Sequence, residues 1–216
     1  MLQKQTVSPK LLELLEQLQQ ISLLKEFALV GGTALALQLG HRSSIDIDLF
    51  TLFDFDEKKL VEELEKRFGA AFLLLSSSKN AINCVVSDIK VDLIKHGYAY
   101  VEDRIEEENI RMLALSDIAA MKLNAITGNG SRIKDFIDVY FLLDIFSLEQ
   151  LFAFYKKKYT QQDLYHVKKS LVYFNDILPE TWENVQLIRE KQLTFSSVKQ
   201  KLKKELQEYE KRNILL

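Results

Sequence analysis

Residues 27–50 read FALVGGTALALQLGHRSSIDIDLF, and their pattern sets the reading of the whole chain. An apolar run, Phe27 to Val30, stops at two adjacent glycines, Gly31 and Gly32. An apolar-rich segment from Thr33 to Leu39 reads as a short helix, closed by Gly40. His41 and Arg42 lead into Ile45–Phe50, whose alternation predicts a strand with Asp46 and Asp48 on one face and isoleucine and leucine on the other. Glycines at a helix mouth let backbone N–H groups approach a phosphate, and the helix dipole adds to the attraction. Thr33 offers a hydroxyl to the same group. Two adjacent carboxylates repel each other, and a hard divalent cation removes that repulsion. Mg²⁺ typically takes one or two carboxylates together with substrate phosphates.

Working outward, Ser8-Pro9 predicts a helix start, followed by a leucine stripe to about Ile21. Asp54 or Asp56 is expected to cap a helix to about Phe68, with Gly69 at its end. Residues 71–76, 81–87 and 90–95 read as three strands joined by short polar turns. The third of them places Asp92 between apolar neighbours. An unpaired buried carboxylate costs several kcal/mol, so Asp92 calls for a partner or a metal. Residues 102–108 are acidic and read as a solvated connection. From Ser116-Asp117, taken as a cap, the pattern is helical: a helix broken at Gly128-Asn129-Gly130, then Arg132 to Ile145, Leu148 to about Tyr159, Gln161 to Phe174, and Ser196 to Arg212. The expected architecture is α+β: a mixed sheet with flanking helices, then a helical bundle. The domain boundaries are placed at 1–110 and 111–216.

Composition narrows the classes. The chain has 216 residues, enough for a substantial core, and only 7 glycines and 2 prolines, too few for a turn-rich all-β protein. No apolar run approaches the roughly 20 residues of a membrane span. The single cysteine, Cys84, cannot form an internal disulfide. A reducing, cytoplasmic setting is expected, without membrane association. Net charge is −2, yet residues 151–216 hold 13 Lys/Arg against 8 Asp/Glu. That excess can attract a polyanion, although surface helices carry such lysines for solubility alone.

The ordered set of features resembles a known family. The Gly-Gly turn, the spacing and Asp46-Ile47-Asp48-Leu49 are similar to the signature of the DNA polymerase β-type nucleotidyltransferase superfamily. More narrowly, residues 31–50 resemble the AbiEii/AbiGii-type nucleotidyltransferase toxins of bacterial toxin–antitoxin and phage-defence systems. Lys122-Leu123-Asn124-Ala125, then Arg132, then Lys134-Asp135-Phe136-Ile137-Asp138-Val139-Tyr140 is similar to that family's later motifs. The resemblance covers about residues 27–143.

It implies transfer of a nucleoside monophosphate from an NTP to an acceptor hydroxyl, which in the toxin branch includes the tRNA 3′ end, and a cognate antitoxin protein as partner. By the same resemblance Gly31, Gly32 and Thr33 would hold phosphates, Asp46 and Asp48 would hold Mg²⁺, and Asp92 would be a third catalytic carboxylate. Arg42 would contact phosphate. Lys122 and Asp138 would act in catalysis, Arg132 and Asp135 would contact substrate, and the helical domain would complete the nucleotide site. The alternatives are a nucleotide-binding or antitoxin-partner module without transferase activity, and a small-molecule transferase of the antibiotic-modifying type.

Overall fold

The computed structural model describes residues 1–214. The chain divides into two units, Met1–Ala114 and the residues from Leu115 on.

In the first unit, Ser8 caps helix α1 (Pro9–Gln19), its hydroxyl accepting from Leu11 N at 3.1 Å. Strand β1 (Ala28–Leu29) feeds helix α2 (Gly31–Leu39), which stops at left-handed Gly40. Strand β2 (Ile47–Thr51) follows. Helix α3 (Glu57–Phe68) is capped by Asp56, which accepts from Lys59 N at 3.0 Å. Strands β3 (Phe72–Ser78), β4 (Ala81–Val86) and β5 (Ile89–Lys95) form a meander. Strands β6 (Ile105–Glu107) and β7 (Ile110–Met112) form a last hairpin. The seven strands make one sheet in the order β3-β4-β5-β2-β1-β7-β6. The β2–β5 and β1–β7 pairs are parallel and the others antiparallel.

Alternation gives the central strands one apolar and one polar side. Ile47, Leu49, Ile82, Cys84, Val86, Val91 and Leu93 are buried, while Asp48, Asn83 and Asp92 lie between them in sequence and keep part of their surface in solvent. This is the usual division of a mainly antiparallel sheet with one covered face. The edge strand β3 departs from it: Leu73, Leu74 and Leu75 are all exposed, at 59%, 38% and 54%.

Two expectations for the first unit do not hold. The acidic stretch 102–108 is solvated, with Glu102, Asp103, Glu106 and Glu108 exposed, but it is more than a connection, because residues 105–107 form β6 and Glu108 opens the turn into β7. Glu108 and Asn109 both take positive φ, 52° and 65°, the backbone form that two-residue hairpin turns require. Strand β2 begins at Ile47, not Ile45, because Asp46 gives its carbonyl to the Thr33 hydroxyl. Ile45 stands outside the strand and is 67% exposed.

In the second unit, helix α4 (Leu115–Gly128) is the hub, contacting α5 (Ile133–Leu142), α6 (Leu148–Tyr159) and α7 (Tyr165–Leu171). A 3₁₀ segment (Pro179–Asn184) precedes the final helix α8 (Phe195–Ile214), which packs on α5 and α6. The helices expected over 132–145 and 161–174 are shorter at their ends. Ser116 and Asp117 do not precede α4 as a cap. They lie in its first turn, buried, and Asp117 pairs with Lys158 at 2.7 Å with both side chains fully buried.

Removing one partner of a buried ion pair strands the other charge. Lys158→Ala is therefore expected to cost about 3–5 kcal/mol in urea unfolding. Lys158→Met combined with Asp117→Leu should recover most of that loss, because no charge is then left buried.

Candidate functional site

The site in the first unit is built around the mouth of α2. Gly31 has φ +68°, a conformation that side chains rarely adopt. A Cβ on Gly31 would stand 2.5 Å from Asp48 Oδ2, and one on Gly32 would stand 2.5 Å from Arg42 Nη2. A carboxylate and a guanidinium thus lie directly against the two glycines. Arg42 is buried and donates through Nη1 to the Ser43 carbonyl at 3.0 Å. Thr33, also buried, donates to the Asp46 carbonyl at 2.5 Å and shares a hydrogen bond with Ser44 Oγ at 2.8 Å. Its hydroxyl fixes the segment carrying Asp46. That segment leaves Asp46 exposed and Asp48 half-buried.

The sheet adds a row of polar groups. Asp48 pairs in register with Asp92, Asp92 with Asn83, and Asn83 with Ser76. Register partners share a face, so four strands present one polar row ending beside the glycines. Ser76 Oγ donates to Asn83 Oδ1 at 2.9 Å, and Asn83 Nδ2 donates to Asp92 Oδ1 at 2.8 Å. Lys90, two residues before Asp92 and on the same face, donates Nζ to Asp92 Oδ2 at 2.8 Å. Its ammonium is held above the ordinary lysine range, first by that hydrogen bond, against some loss from burial, and then by the charges of Asp92, Asp48 and Asp46.

Among the described residues no three His, Cys, Asp or Glu side chains converge on a point that could hold a metal ion. The donor set suits Mg²⁺ in its two-carboxylate form. The Asp48 carboxylate lies at the N-terminus of α2, the Asp46 backbone is tied to Thr33 in its first turn, and phosphate oxygens fill the remaining positions in such sites.

The other expected residues form their own cluster in the second unit. Lys122 Nζ lies 2.6 Å from Asp135 Oδ1 and 2.7 Å from Asp138 Oδ2, with all three side chains buried. Arg132 Nε lies 3.5 Å from Asp135 Oδ2 and its side chain is 63% exposed.

Lys90 and Asn83, the two groups that hold Asp92, were missed by the sequence reading. For Lys90 the signal was present: strand alternation places residue 90 on the face of residue 92. For Asn83 it was not, because cross-strand register is not written in local sequence. Cys84, on the apolar face, is buried and its thiol is pushed up to about 12, mainly by burial and also by the charge of Asp92. It is no nucleophile near neutral pH.

The family model described as nucleotidyl transferase AbiEii toxin, type IV toxin–antitoxin system, matches residues 13–82 and 80–212. "Uncharacterized protein aq_aa25" of Aquifex aeolicus (strain VF5) is 33% identical over 183 residues, covering 81% of this chain and 86% of the relative. Two crystal structures from Helicobacter pylori are also similar. One is of a proposed nucleotidyltransferase (18% identity, TM-score 0.46, 76% of this chain and 92% of that one). The other is of JHP933 (15% identity, TM-score 0.44, 97% of this chain and 100% of that one).

The class is thus a nucleotidyltransferase. More narrowly, the chain belongs to the AbiEii toxin family of type IV toxin–antitoxin systems, which implies an antitoxin partner. No helix among the described residues is long and apolar enough to cross a membrane.

Gly31→Ala is expected to lower stability by about 1–3 kcal/mol, through strained backbone and displacement of Asp48. Gly128→Ala, where a Cβ meets nothing within 4 Å, should be neutral or slightly stabilising. Chemical denaturation of both reads the contrast. Cys84 should resist a thiol reagent at pH 8 in the native protein and react in urea. Because its folded pKa lies above the ordinary value, its contribution to stability is complete below about pH 9 and is lost as pH rises toward 12.

Proposed function

We propose that the chain transfers a nucleoside monophosphate from an NTP to an acceptor hydroxyl in a Mg²⁺-dependent reaction. The observation that carries this reading is the packing of Asp48 and Arg42 against Gly31 and Gly32 at the opening of α2. It combines, around one turn, backbone donors for phosphate, a buried guanidinium and a carboxylate for the metal. Asp46 and Asp48 would hold the ion, which when bound neutralises the charge growing on the phosphate oxygens. Gly31 and Gly32 would offer their N–H groups to the triphosphate, with the dipole of α2 behind them. Arg42 would add a fixed positive charge that requires no metal. Thr33 would act through Asp46 by fixing its backbone.

In the second unit, exposed Arg132 is the group of its cluster proposed to contact substrate. Buried Lys122, Asp135 and Asp138 would orient it and keep the charge balanced. The acceptor proposed is the 3′ hydroxyl of an RNA such as tRNA. What supports it is a cavity of about 550 Å³ whose charged and aromatic lining is Lys156, Lys168, Lys169, Tyr165 and Tyr209, three cations against the two carboxylates of Asp163 and Glu210. Tyr165 is 61% exposed there, and an exposed ring among lysines suits a stacked base on a phosphate chain. A cytoplasmic setting and a role in phage defence complete the proposal.

The test is incubation with each α-labelled NTP, Mg²⁺ and total tRNA. Label is expected on RNA with wild type, and at least about 100-fold less with Asp48→Ala, the scale of losing an electrostatic element of a transition state. Label on protein or a small molecule instead would replace the acceptor. No label from any NTP would overturn the reaction.

A further inference from the structure

We propose that Lys90 is a built-in cation that occupies Asp92 and restricts the carboxylate face to a single divalent ion. The inference rests on the metal reading of Asp46 and Asp48 above, and it concerns a residue to which that reading gives no role.

The geometry of Asp92 carries it. Both of its oxygens are engaged, Oδ1 by Asn83 and Oδ2 by Lys90, each at 2.8 Å. Asn83 is itself fixed by Ser76, so Asp92 is held from two strands and from its own. Its register places it next to Asp48, where a free carboxylate would be available to share a second ion. With Lys90 in place, the pair Asp92–Lys90 has no net charge, and an ion at the glycine turn meets Asp46 and Asp48 together with the guanidinium of Arg42. The Lys90 side chain is 51% exposed while that of Asp92 is only 14% exposed, so the ammonium on Oδ2 is carried by the more exposed partner of the pair. A divalent ion approaching Asp92 must displace an ammonium already hydrogen-bonded to it and attracted by all three carboxylates. Lys90 is thus a positioning residue: it acts on the metal through Asp92 and through repulsion, and no contact with substrate is required of it.

Mn²⁺ binding to the purified chain without nucleotide, followed by the electron paramagnetic resonance of free Mn²⁺, reads this directly. Wild type should bind one Mn²⁺ per chain, and Asp48→Asn should lose it. Lys90→Gln should bind a second Mn²⁺, or bind the first at least about 5-fold more tightly, the scale expected when a unit charge is removed a few ångströms from an ion. Asp92→Asn added to Lys90→Gln should return stoichiometry and affinity to those of wild type, because the gain depends on the freed carboxylate. Lys90 is half-exposed on a strand, so its replacement leaves the core untouched, and circular dichroism confirms each variant's fold.

Two Mn²⁺ per wild-type chain would overturn the inference while leaving the transferase reading in place. So would Lys90→Gln binding identical to wild type, or a gain that survives Asp92→Asn. Mn²⁺ binding unaffected by Asp48→Asn would instead remove the metal reading on which both depend.

Discussion

The constraint on which the first unit depends is the absence of side chains at Gly31 and Gly32. Asp48 and Arg42 occupy the space that two Cβ atoms would fill. The helix mouth, the Asp48 carboxylate and the Arg42 guanidinium are therefore held in one place by contact with bare backbone. Thr33 continues the same logic one residue later. Its hydroxyl takes the Asp46 carbonyl, which ends the strand ladder before Asp46 and leaves that carboxylate in solvent. Local chain geometry, rather than the reach of long side chains, sets the relation of the acidic pair to the helix.

The sheet then distributes polar groups by register. Asp48, Asp92, Asn83 and Ser76 come from four strands and are neighbours only because β2 runs parallel to β5 while β4 runs antiparallel to both its partners. A slip of one residue in any of these pairs would send a polar side chain to the apolar face, beside Cys84, Val91 and Leu93. The apolar face thereby specifies the polar row. The second unit uses buried charge differently. Lys158 with Asp117, and Lys122 with Asp135 and Asp138, are enclosed ion pairs among apolar helices. Such pairs contribute little net stability, since desolvation offsets attraction, but they penalise any packing that separates the partners.

Much of this was legible in the sequence. The Gly-Gly turn, the apolar helix after it and the helical second half follow from periodicity and turn chemistry, whereas the alternation that placed Asp48 on the polar face also extended the strand over Asp46, which lies outside β2. The strand pattern also identified Asp92 as a carboxylate in need of a partner. What sequence alone did not reveal was long-range. The Lys158–Asp117 pair spans 41 positions, and Asp117 in isolation resembles an ordinary cap. Strands β6 and β7 are three residues each, too short for alternation to register, and their turn residues are Glu and Asn rather than glycine. The direction of Asp92 was settled by tertiary pairing, which gave its oxygens to Asn83 and Lys90.

The polar row begins at the strand with the least cover. Strand β3 is the sheet's edge, with three leucines in solvent and one ladder partner, β4. Segments with little buried area open at a lower free energy than the whole molecule does. Each such opening frees Asn83 from Ser76 and loosens the amide that holds Asp92. One of the two holds on the third carboxylate, the amide at Oδ1, is therefore coupled to the breathing of a sheet edge at the far end of the row from the glycine turn, while the ammonium at Oδ2 is not.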